Sequence, residues 1–172
     1  MATKGREWAE ARRAERVASL RTRLETDLGA GDLTLEIGCG DRLAKCEAKR
    51  ARRGLSNVRF LKAEASELLD ALPPGLRLAR VFILYPDPWP KRRQMHNRFL
   101  QASNLDRLAR ACPAGTRLAF RTDHAGYHEA AGEVLAVHPD WRILPDEPWP
   151  FEAPTFFQDL LRDRRDWIAV RR

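Results

Sequence analysis

The chain has 172 residues, 44% of them hydrophobic, which suits one layered domain and excludes a disordered tail. Lys and Arg number 31 against 24 Asp and Glu, a net charge of +7 that favours a polyanionic partner. No apolar run is long enough to span a membrane as a helix, the N-terminus has no secretory h-region, and Cys39, Cys46 and Cys112 follow no metal spacing; a reducing, cytoplasmic setting is expected.

In chain order, residues 4–28 read as a charged helix with Trp8, Val17, Leu20, Leu24 and Leu28 on one stripe and arginines over the rest. Those arginines suit a solvated face as well as an RNA contact. Leu33 to Ile37 reads as a strand running into Gly38-Cys39-Gly40, with Asp41 as N-cap of a basic helix over 42–53. Asn57 to Leu61 reads as a second strand and Ser66 to Leu72 as a short helix. Leu78 to Leu84 is an apolar run of buried-strand type, followed by the loop Tyr85 to Arg93. A helix over 97–111, a strand over 116–121 and a helix over 124–137 come next, then strands at 141–144 and 167–170. This alternation predicts one α/β domain over 1–172, a mostly parallel sheet with helices on both faces. Ligands of such sheets sit at the carboxyl ends of the strands. Three candidate segments fall there: Glu36 to Gly40, Tyr85 to Arg93, and Thr122-Asp123.

Glycines after a strand let backbone approach a ligand closely, although a lone G-x-G also suits a simple tight turn. In Tyr85-Pro-Asp-Pro-Trp-Pro-Lys91, three prolines stiffen the loop and present Asp87 and Trp89 at low entropic cost. A rigid surface turn would explain the prolines but not Lys91, Arg92 and Arg93 directly after them. Asp123 suits a helix N-cap as well as a ligand. His124 and His128 stand at metal-binding spacing without a third ligand, so capping or solvation is expected and no metal.

These segments resemble the bacterial tRNA (guanine-N7-)-methyltransferases, whose pattern is E-I-G-x-G, a later acid after a strand, F-P-D-P-W-P-K-x-R, a T-D pair and a C-terminal T-x-F-E. The matches are Glu36 to Gly40, Glu64, Tyr85 to Arg93, Thr122-Asp123, and Thr155-Phe156-Phe157-Gln158, in family order. Departures are Tyr85 for Phe, Gln158 for Glu, and Gln94 and Met95 for histidines. The resemblance implies a Rossmann-like methyltransferase fold that methylates guanine N7 in tRNA, at the variable-loop guanosine, from S-adenosylmethionine. It implies that Glu36, Gly38 and Gly40 line the methionine side of the cofactor. Glu64 would lie near the adenine, and Asp87, the catalytic candidate, between cofactor and guanine. Lys91, Asp123, Thr155, Phe156, Phe157 and Gln158 would face the RNA. A monomer is favoured.

Relative to that pattern, one helix-strand unit is missing between Gly40 and Asp41. The expectation is that strand 57–61 then pairs directly with the first strand and that Glu64 takes the ribose position, roughly 20 residues past the glycines. Two alternatives remain open. One is an RNA-binding remnant that has lost the cofactor; the other, a dinucleotide oxidoreductase, lacks its third glycine here.

Overall fold

In the computed structural model, described over residues 2–38, 43–151 and 163–172, eleven elements alternate along the chain. They are α1 (Ala2–Leu28), β1 (Gly31–Ile37), α2 (Leu43–Arg52), α3 (Ala65–Ala71), β2 (Leu76–Leu84), a 3-10 helix (Arg92–Asn97), α4 (Ala102–Ala111), β3 (Arg117–Thr122), α5 (Ala125–Val137), β4 (Trp141–Ile143) and β5 (Arg165–Arg171). The sheet order is β1-β2-β3-β5-β4. β1, β2 and β3 are mutually parallel, and β5 lies antiparallel between β3 and β4, so four of the five strands share one direction.

Alternation along β3 and β2 decides the packing, with one register shift in β2 that skips Ala79 and so keeps Leu78 and Val81 on the same face. Leu78, Val81, Ile83, Leu118 and Phe120 point to one face, where Leu69 of α3, Leu105 and Leu108 of α4 and Tyr127, Ala131 and Leu135 of α5 close the core. Phe82 points to the other face and meets the rings of Trp149 and Phe151 edge-on, with centroids 6.4 and 5.2 Å away. Helices α3, α4 and α5 thus cover the first face, and the rings of Trp149 and Phe151 pack on the second. α1 docks on α3 through Leu24, Ala71 and Leu76, with Val17, Leu20 and Leu28 around them.

The expected strand at 57–61 does not form, and β1 pairs with β2 instead. Tertiary packing overrides strand propensity here. Leu61 joins the α1 cluster, and the Arg59 guanidinium donates to the carbonyls of Ser56 and Val58. The helix expected from residue 97 starts at Ala102, because Arg92–Asn97 is a 3-10 helix and Gln101 occupies the N-cap.

Candidate active site

The carboxyl ends of β1 and β2 open into a cleft of about 620 Å³. Ile37, Glu64, Asp87 and Trp89 line it, together with Arg98 and Arg107. Two expected site residues, Glu64 and Asp87, therefore share one cavity.

The loop that carries Asp87 is held in an unusual backbone. Tyr85 and Trp89 have φ of 46° and 42°, a region that non-glycine residues seldom adopt and that clusters at functional sites. Three contacts hold it there. Tyr85 is buried and its N–H donates to the Arg121 carbonyl at 2.8 Å. Burial also pushes the Tyr85 phenol up from its usual pKa. Arg98, only 5% exposed, donates from Nε to the Pro88 carbonyl at 2.8 Å and from a terminal nitrogen to the Gly126 carbonyl at 3.1 Å. Its guanidinium lies over the Tyr127 ring, 4.9 Å from the centroid. One arginine thus ties the proline loop to the first turn of α5.

Glu64 first of all caps α3. Its carboxylate accepts from the N–H groups of Ser66 and Glu67 at 3.1 and 3.0 Å and from the Ser66 hydroxyl. A carboxylate offers about four lone-pair sites, so one remains for a ligand hydroxyl.

Glu36 lies outside this cleft. On β1 it alternates with Ile37, stands opposite Phe82 and faces the other side of the sheet. Much of its surface meets solvent, yet the crowding at its carboxyl is enough to raise the pKa by desolvation. It has no cationic partner among the described residues. A Cβ added to Gly38 would touch the Leu84 carbonyl at 3.7 Å, an ordinary contact, so the backbone does not itself require glycine there. The missing side chain leaves room at the end of β1. Gly40, Thr155, Phe156, Phe157 and Gln158 lie outside the described residues.

Lys91 caps the 3-10 helix from outside the cleft, and Asp123 is exposed. The N-cap of α5 is His124, not Asp123. Its Nδ1 accepts from the Tyr127 N–H at 3.1 Å, because the helix begins one residue later than expected. His128 stacks on Trp167 at 4.6 Å, with Nε2 against the Asp166 carbonyl. A closer metal-like grouping is Asp106, His138 and Asp140. There, His138 Nδ1 accepts from the Asp140 N–H and Nε2 faces Asp106 at 3.2 Å, so contacts within the protein account for both ring nitrogens.

A family model described as "Putative methyltransferase" matches residues 33–158. The tRNA (guanine-N(7)-)-methyltransferase of Mesorhizobium japonicum is 31% identical over 169 residues, 80% of this chain and 72% of its own length. The chain belongs to the tRNA (guanine-N7-)-methyltransferase family. A second member, from Rhodospirillum rubrum, is 32% identical over 141 residues, 82% of this chain and 50% of its own. The chain spans about half the length of most of the curated family members it matches. A solved structure of the same description as the family model, from Thermoplasma acidophilum, aligns at a TM-score of 0.53 and 16% identity over 88% of this chain and 62% of that one, a likeness of fold.

Seen as a member of this family, the chain places the specific part of its motif, the loop around Asp87, against residues that motif reading passed over. Arg98, Phe99, Asn104 and Arg107 all line the cleft. Arg98 and Phe99 follow the basic end of the loop after the 3-10 helix, and Asn104 and Arg107 lie on α4; nothing in the residue types marked Arg98 as buried.

Proposed function

We propose that the chain transfers a methyl group from S-adenosylmethionine to N7 of the variable-loop guanosine of tRNA. The observation that carries this reading is the meeting of Asp87, Trp89 and Glu64 in one cleft at the carboxyl ends of β1 and β2. The donor set of the cleft fits the cofactor: Asp87 and Glu64 give it negative charge, and Glu36 stands beside it at the end of β1, on the other side of the sheet. S-adenosylmethionine supplies an electrophilic methyl on a sulfonium.

Guanine N7 carries a free lone pair at neutral pH, so the protein needs no general base. Its task is alignment and stabilisation of charge that shifts onto the purine. Asp87 serves the second; the strained, Arg98-tied loop serves the first. Glu36, Gly38 and Gly40 hold the methionine end, and Glu64 offers its spare lone pair to the ribose side. Trp89 is placed to stack on a base displaced from the tRNA stack. Lys91, Asp123 and Thr155 to Gln158 face the RNA. The protein works in the cytoplasm, as a monomer and without a metal; no described helix is long and apolar enough to cross a membrane.

Calorimetric titration with S-adenosylhomocysteine, followed by methyl transfer to unmodified tRNA, tests this. The expected result is micromolar binding and N7 methylation lost in Asp87→Ala. A folded protein that gives no heat at millimolar ligand would replace this reading with that of an RNA-binding remnant.

A further inference from the structure

Asp70 of α3 is ringed by arginines from both flanking helices. Arg13 of α1 meets its carboxylate at 2.6 Å, and Arg107 and Arg110 of α4 at 3.2 and 3.3 Å. Arg21 donates to its backbone carbonyl at 2.8 Å. Glu67 is already matched by Arg16 and does not offset the cluster. Three guanidiniums face one carboxylate and a fourth, that of Arg21, its backbone carbonyl, so two of the three stand in excess of the carboxylate. Tying α3 to α4 would take one arginine. Arg110 is 65% exposed, where an ion pair adds little to stability and crowded like charges repel. The fold therefore does not account for the excess.

Its position does suggest a use. Beside the cluster, at the amino end of β2, a second cleft of about 530 Å³ is edged by Asp70, Arg77, Arg107 and Arg110. Arg107 lines this cleft and the carboxyl-end cleft alike. Ser103 edges the first and Arg110 the second, two turns of α4 and about 10 Å apart. The positive charge thus forms a track leading out of the candidate active site. A small anion would need one pocket; a track fits a linear, charge-dense chain.

We propose that Arg13, Arg107 and Arg110 form a binding surface for the phosphodiester backbone of RNA, along which the strand entering the Asp87 cleft continues toward the amino end of the sheet. The identity of the RNA as tRNA rests on the function proposed above; its charge class does not.

Binding of unmodified tRNA to the full chain, followed against salt, tests this surface. Arg110→Ala should weaken binding and reduce the slope of log K against log salt by about 0.7–0.9, one phosphate contact. Arg110→Lys should keep the slope, since counterion release counts charge. Both variants should bind S-adenosylhomocysteine as the parent does. An unchanged slope in Arg110→Ala, or a slope lost in Arg110→Lys, would overturn the proposal. So would tighter binding of poly-glutamate than of tRNA, which would assign the surface to an acidic protein. If tRNA binds with the expected slopes but receives no methyl group, the surface stands and the proposed activity fails.

Discussion

At 5% exposure, Arg98 is a charge inside the protein with two backbone carbonyls and one aromatic face as its described partners, and no carboxylate among them. Removing a charge from water costs several kcal/mol, so its retention there calls for compensation. The Pro88 carbonyl supplies part of it and in return is fixed, with Asp87 and Trp89 on either side. Arg98→Met frees that carbonyl and lets Tyr85 and Trp89 leave their positive φ values. Loss of alignment by about 1 Å costs on the order of 100-fold in rate, and we expect a fall of that size in methyl transfer, with affinity for S-adenosylhomocysteine little changed. Arg98→Lys, which cannot reach both carbonyls, should recover only part of it. Equal turnover in the parent and Arg98→Met would remove the loop-holding role. Glu36 is the opposite case, an acid whose desolvation raises its pKa. Below the usual glutamate range both folded and unfolded chains hold the proton, and no penalty exists. As pH rises from that range through the raised value, the folded chain keeps a proton that the unfolded chain has lost, and stability falls. Glu36→Gln should therefore melt higher than the parent at neutral pH, with the difference vanishing as pH drops to the ordinary glutamate range, while binding S-adenosylhomocysteine more weakly. A difference independent of pH would show that the carboxyl is not desolvated.

Among the elements, those with a strong local signal could be read from sequence. β2 is a run of apolar residues too short for a buried helix, and it extends the expected strand by two residues, to Leu76. α5 matches expectation to one residue at its start and none at its end. The errors fall where partners distant in sequence decide. Asn57 to Leu61 carries strand residues, yet Leu61 finds its apolar surroundings against α1 and leaves β1 for β2. The segment 97–101 has helix-forming composition, but the Leu100 N–H is taken by the Tyr127 hydroxyl at 3.0 Å and Arg98 is drawn inward, so α4 starts late. The same split governs the site. That Asp87 and Glu64 line a cleft at the strand ends was legible because they belong to a motif or follow it at a set distance. The place of Arg98 and Arg107 was not, since one arginine among many gives no sign of which will be buried beside a cleft.

For the whole molecule, the strand order puts the glycine-bearing strand at the end of the sheet. β2, β3 and β5 are bonded on both sides, whereas β1 has only β2 as a neighbour among the described residues. Edge strands open by local fluctuations, and central strands only when the domain unfolds. In the free protein the β1 amides should therefore exchange with solvent deuterium faster than those of β3, although both strands run parallel in one sheet. Ligand makes the comparison sharper. At a concentration 100 times its Kd, S-adenosylhomocysteine stabilises the folded state by about 2.7 kcal/mol and slows exchange through global unfolding by about 100-fold. An opening that also destroys the binding site is slowed by the same factor; one that leaves the site intact is not slowed at all. If the cofactor seats on the end of β1, amides from Leu35 to Ile37 should gain the full factor, together with Phe120 in β3. Protection confined to β3 would mean that the ligand sits clear of β1, and Glu36 and Gly38 would lose their assigned role while the cleft at Asp87 kept its own.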